Sequence, residues 1–312
     1  MPYKKLLHGL AAAAAGALLF AGCNVFHSPT SPSGNGTSGL PGWHPCVIVQ
    51  NPGFRSSPEF IQQMDAVRRL HAAGAMNWIR LGGLNVHGDG KDYAVEAKSM
   101  GLNVFGIVTQ QDLESVGWER AFDQMVRMYP EVDMWEIAGE ITNTSVNAGP
   151  LTPEYYIPKF RSLVEYAKSN YPNLRLVSAP TEGNASGPTQ FQRFMELGLA
   201  NIDAVIAVNI YTDNALQEYA SVFDRHASEL ASRRIWVTES GSGFLGGENQ
   251  QIGWVEREYQ QINNTVRPEM ICWYVMWAGN VGGDSDFSLL KNLTASGYTT
   301  TPLFKKLTGE AQ

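Results

Sequence analysis

From residue 46 onward, short apolar runs alternate with longer stretches whose apolar residues recur at helical spacing, and the alternation repeats eight times. That is the pattern of successive strand–helix units feeding a parallel sheet. The expected strands are 46–50, 76–81, 102–108, 132–138, 174–179, 204–209, 235–238 and 271–276. Ser57-Pro58-Glu59 and Thr152-Pro153-Glu154 each read as an N-cap followed by Pro in the first turn. Pro158 is expected to delay the regular part of the second of these helices. Further helices are expected over 93–100, closed by Gly101, and over 114–128, 189–197, 215–232, 250–266 and 301–307. Eight such units in roughly 265 residues have the size of a (β/α)8 TIM barrel, an α/β fold formed by one domain. An open doubly wound sheet would place a Gly-rich phosphate turn after its first strand, and Asn51-Pro52-Gly53-Phe54 is not one.

The segment before the barrel has a different character. Lys4 and Lys5 precede an apolar run from Leu10 to Phe20, too short to span a bilayer, and small residues follow. Phe20-Ala21-Gly22-Cys23 resembles a bacterial lipobox, which makes residues 1–22 a signal peptide and Cys23 the lipidated first residue of the exported chain. Residues 23–42 are rich in Ser, Gly and Pro and read as a tether; the domain follows over 43–312. The expected location is the bacterial cell envelope, with a membrane partner through the lipid. Net charge is −7, which argues against nucleic acid as a partner. Cys46 and Cys272 fall on the first and last strands, neighbours in a barrel; a disulfide and two buried thiols are both open readings.

Two of the apolar runs end in a carboxylate. Met134-Trp135-Glu136-Ile137-Ala138-Gly139-Glu140 closes the fourth unit's strand, and Ile235-Trp236-Val237-Thr238-Glu239 closes the seventh's. Functional groups of such barrels sit at the C-terminal ends of strands. Simple alternation puts Ile235, Val237 and Glu239 on one face, so the acid is expected to continue an inward row. Two carboxyl groups about 5 to 5.5 Å apart suit double displacement at an anomeric carbon, one giving a proton and the other attacking.

These two strand ends resemble those of clan A of the glycoside hydrolases, retaining barrel enzymes with an acid/base on strand four and a nucleophile on strand seven. The resemblance implies Glu140 as acid/base and Glu239 as nucleophile, cleavage of β-linked glycans, a carbohydrate partner, and no metal or organic cofactor. It further implies Tyr211 as a hydrogen-bond donor to the nucleophile, Arg80 as the cation that keeps it ionised, and Trp277 as the aromatic floor of the reacting sugar's subsite. Asn209 stands where the clan commonly has His, and Gly139 where it often has an Asn that binds the sugar 2-hydroxyl. Asn143 and Gln110 are the candidates to replace that contact, completing a substrate-binding set of Trp277, Tyr211, Asn209, Arg80, Gln110 and Asn143. Glu136 has the parity to point inward toward Arg80 as a buried ion pair. Gly139 keeps a second reading open, a catalytically weak or inactive surface lipoprotein that binds carbohydrate on the same barrel.

Overall fold

The computed structural model describes residues 40–50, 55–143, 151–211, 213–241, 248–279 and 286–311. Its main sheet has eight parallel strands: β1 Cys46–Val49, β2 Trp78–Leu81, β3 Asn103–Val108, β4 Met134–Ile137, β5 Arg175–Val177, β6 Ile206–Ile210, β7 Ile235–Ser240 and β8 Met270–Trp273. The order is β5-β4-β3-β2-β1-β8-β7-β6, and a parallel bridge between Val177 and Val205 closes the two ends into a barrel. At that seam Val205 N–H donates to Leu176 O and Ser178 N–H to Val205 O, both at 2.9 Å. The expected (β/α)8 architecture is the one observed.

Alternation along each strand divides the apolar residues into two layers. Cys46, Ile48, Trp78, Phe105, Met134, Val177, Val205, Ala207, Trp236, Met270 and Cys272 form an inner cluster filling the barrel. Their neighbours in sequence, such as Val47, Ile79, Trp135, Val208, Val237 and Ile271, face outward and pack under the helices. In the lumen the Trp236 ring meets Trp78 and Phe105 edge-on, each at 5.2 Å between centroids. That plug fills the barrel beneath the C-terminal ends of its strands.

Local differences from the sequence expectation have physical causes. The stretch expected as one helix over 114–128 is two, Gln110–Val116 and Trp118–Met128, because Gly117 adopts φ 92° between them. The one expected over 215–232 breaks at His226 into Asp213–Arg225 and Ala227–Leu230. Pro158 does not delay its helix, which runs over Pro153–Asn170 with Tyr156, Ile157, Phe160 and Leu163 buried; the packed face outweighs one missing donor near the N-terminus. An antiparallel hairpin, β9 Leu290–Thr294 and β10 Gly297–Thr300, precedes the last helix and was not evident as a strand pair. Its Tyr298 hydroxyl donates to Asp65 at 2.7 Å and accepts from Arg69 at 2.6 Å, docking the hairpin on the helix Pro58–Ala72.

Cys46 and Cys272 are register partners on β1 and β8, 4.5 Å apart at Cα, and they form a disulfide inside the lumen. The bond closes a loop of sequence separation 226. By the chain-entropy relation, a loop of that size stabilises the fold by about 5 kcal/mol. We expect Cys46→Ala/Cys272→Ala to lower the melting temperature by about 10 °C, read by calorimetry. An unchanged midpoint would show that the bond constrains nothing that unfolds.

Candidate active site

Arg80 is the third residue of β2 and projects into the lumen with 1% of its side chain exposed. A buried guanidinium needs counter-charge, and β4 supplies it. Arg80 Nε and Nη2 donate to Glu136 Oε2 and Oε1 at 3.2 and 2.7 Å, a two-pronged contact with a fully buried carboxylate. The remaining prong, Nη1, donates to Glu239 Oε1 at 2.7 Å. Burial alone would lower the Arg80 pKa, but the charges of Glu136 and Glu239 raise it, so the cation is permanent. For Glu136 burial dominates, pushing its carboxyl up to about 7 against the pull of Arg80.

Glu239 reaches this cation by an irregularity. Ile235 and Val237 face outward and Trp236 inward, the reverse of the expected parity. Strict alternation would then send Glu239 outward. The register with β6 instead steps from Val208↔Val237 to Asn209↔Glu239, so two residues of β7 oppose one of β6. This β-bulge at Thr238 turns Glu239 into the lumen, a common device for re-aiming a side chain next to an active site. There Glu239 Oε2 accepts the Tyr211 hydroxyl proton at 2.6 Å, so both carboxylate oxygens are held. Burial and the Glu239 charge raise the Tyr211 pKa well above its ordinary value, which keeps it a donor.

Glu140 is held by different groups. After Ile137 the backbone turns at Ala138, a non-glycine residue with φ 68°, and the chain leaves the strand toward the cleft. Glu140 Oε1 accepts from Asn209 Nδ2 at 2.9 Å and from Gly183 N–H at 3.3 Å, while Oε2 accepts from Asn143 Nδ2 at 2.8 Å. Burial first, and then the charge of Glu239, push its carboxyl up; the three hydrogen bonds oppose this without cancelling it. Glu140 therefore keeps a proton at higher pH than a free glutamate does.

Several further residues support the two acids. Gly183 follows β5, and a Cβ there would lie 2.1 Å from the Tyr211 ring, so only glycine brings its N–H to Glu140. Thr238 is fully buried and donates to Asn209 Oδ1 at 2.9 Å, which turns the amide nitrogen toward Glu140. Glu182 accepts from Thr142, Asn184, Ser186 and Gln190 at 2.6 to 3.0 Å; these bonds outweigh its partial burial and lower its pKa. That cluster ties the β5 segment to the β4 segment beside Gly183. Tyr274, past β8, sets its ring perpendicular to Tyr211 at 5.9 Å and donates to Gln50 at 3.3 Å. Strand alternation from Cys272 could have pointed to it.

Of the expected substrate-binding residues, Arg80 and Asn209 are fully buried and spend their donors on the carboxylates, so they position the acids instead of lining the cleft. Tyr211 does the same for Glu239. Asn143 sits on Glu140, and Gln110 is buried at the start of its helix, capped by Thr109. Trp277 is half-buried against the outer apolar layer. Gly139 has open space where a side chain would stand. Cys23 lies outside the described residues. Among the described residues no cluster of three His, Cys, Asp or Glu could hold a metal ion.

Solved structures share this fold at low sequence identity. A family 51 α-L-arabinofuranosidase from Bifidobacterium longum matches with TM-score 0.58 and 11% identity over 86% of this chain and 72% of that one. A GH128 endo-β-1,3-glucanase from Sorangium cellulosum matches with TM-score 0.57 and 16% identity over 80% and 95%. A GH128 exo-β-1,3-glucanase from Aureobasidium namibiae matches with TM-score 0.57 and 12% identity over 85% and 96%. No protein-family model matches the sequence, and no curated protein does. The resemblance to clan A holds at the level of the fold.

Two outcomes follow from the geometry. Glu239→Gln removes the charge that raises the Glu140 pKa, so the Glu140 midpoint should fall, measured by carbon NMR on labelled carboxyls. No movement would sink the electrostatic coupling of the pair. Arg80→Met strands Glu136 and Glu239 without a counter-ion and should cost about 3–5 kcal/mol in denaturant unfolding.

Proposed function

We propose that this protein is a retaining glycoside hydrolase that cleaves β-linked glycans by double displacement. One observation carries the reading: two carboxyls at the ends of β4 and β7 stand in opposite environments within one cleft. Glu239, with one oxygen on Arg80 and the other on Tyr211, is suited to attack the anomeric carbon as an anion. Glu140, buried and raised in pKa, is suited to protonate the departing oxygen and then to activate water. A split of this kind between two acids is how one site runs acid and nucleophilic chemistry together. Arg80 shares its charge with Glu136, so Glu239 is held without being fully neutralised.

The binding-protein reading rests on Gly139, which offers no side-chain donor beside Glu140. It does not account for a buried cation, a Tyr hydroxyl and a bulged strand all serving one carboxylate. β-1,3-Glucan is the first substrate to assay, because two of the proteins that share the fold act on β-1,3-glucans. Cys23, as the lipidated residue after residues 1–22, would tether the enzyme at the envelope; Cys23→Ala should release the protein from the membrane fraction.

The decisive experiment is a polysaccharide panel with product analysis. Glu239→Gln should lose activity on every substrate that the wild type cleaves. Glu140→Ala should regain turnover of an activated aryl β-glycoside when azide is added, giving the β-glycosyl azide. Full activity in both variants would rule out these two residues as the catalytic pair.

A further inference from the structure

The sign of charge around the cleft narrows the substrate, on the footing of the glycosidase reading. The described residues of the segments joining each barrel strand to its helix are 50, 55–57, 82–90, 109, 138–143, 151–152, 178–186, 211, 241, 248–250, 274–279 and 286–289. In a barrel of this kind such segments build the rim of the catalytic face. By sequence they contain one Arg, Arg55, and no Lys. The same segments contain Asp89, Glu140, Glu182, Glu248 and Asp286, and one histidine, His87.

Three of the cations nearest the cleft, Arg80, Arg55 and Lys291, are already engaged. Arg80 is 1% exposed and committed to Glu136 and Glu239. Arg55 reaches away from the barrel, with Nη2 3.2 Å from Glu96 and Nε 3.8 Å from Asp92 on the helix Lys91–Ser99. Lys291, on β9, lies 3.8 Å from Asp286. Lys91 opens its helix beyond Asp89 and is exposed. Beside Glu140, by contrast, stands Glu182, next to the Gly183 whose N–H binds Glu140, and its four donors lower its pKa; Glu239 adds a second carboxylate there.

We propose that the cleft is built for an uncharged β-glycan and rejects chains that carry carboxylates, such as uronans. A substrate carboxylate would meet like charges at a site with low-dielectric walls, which focus rather than screen the field. Hydroxyl groups meet no such opposition, and the Asn, Ser, Thr and Tyr residues of the same segments supply donors and acceptors for them.

The test compares a neutral β-glucan with its carboxymethylated derivative, so that backbone and linkage stay constant. Binding is read by retardation in native gels containing each polymer, over a panel of β-1,3-, β-1,4- and mixed-linkage glucans. The protein used is Glu140→Gln, which blocks proton donation while leaving the charge of the cleft as it is with a protonated Glu140. The expected result is retardation by at least one neutral polymer, with binding to its charged derivative weaker by on the order of tenfold at low salt. That gap should shrink as the Debye length falls from about 30 Å at 0.01 M to about 8 Å at 0.15 M ionic strength. Equal or tighter binding of the carboxymethylated polymer, or no binding of any neutral one, overturns the proposal. Hydrolysis by the wild type is scored separately. Neutral polymers bound selectively but never cleaved leave the charge selectivity standing and sink the enzyme reading; cleavage of both forms at equal rates does the reverse.

Discussion

Arg80 is the constraint around which the C-terminal end of the barrel strands is arranged. A guanidinium in a closed lumen costs several kcal/mol of lost hydration unless carboxylates and good geometry compensate it. Glu136 meets that need from β4, and its two contacts fix the plane of the guanidinium. Only then does Nη1 point at Glu239 from below, as Tyr211 holds the other oxygen. The position of Glu239 is thus inherited from a buried pair on β2 and β4, and strand ends far apart in sequence are joined into one network.

The eight units were legible because strands buried on both faces read as continuous apolar runs, and because capping residues mark where their helices begin. Glu140 and Glu239 stood out for the same reason, as carboxylates ending such runs. The orientation of β7 was not legible. Ile235-Trp236-Val237-Thr238-Glu239 reads as plain alternation, and nothing in its composition marks a bulge. The pairing of Cys46 with Cys272 needed the register of β1 on β8, which periodicity does not supply. The hairpin at 290–300 is short and half polar, and it is held mainly by Tyr298 on a distant helix. Gly183 looked like an ordinary turn residue; its necessity lies in how closely Tyr211 approaches.

The two carboxyls at the ends of β4 and β7 differ in the kind of partner each has. Glu239 faces a permanent cation and a phenol. Glu140 faces only neutral donors: two side-chain amides and one backbone N–H. Amide donors steady the carboxylate without adding charge, so burial and the neighbouring anion still decide its protonation. Gly139 takes no part in holding Glu140, whose side chain is fixed through both of its oxygens by Asn143, Asn209 and Gly183.

The bulge in β7 serves both acids at once. The extra residue that turns Glu239 inward also brings Thr238 over Asn209, where its hydroxyl fixes the amide. With Oδ1 accepting from Thr238, Asn209 can present only Nδ2 to Glu140. A side-chain amide has no proton to gain or lose near neutral pH, so Asn209 does not itself titrate as Glu140 gains or loses its proton. One inserted residue therefore sets the direction of Glu239 and the hydrogen bonding of Glu140, and any change that straightened β7 would disturb both.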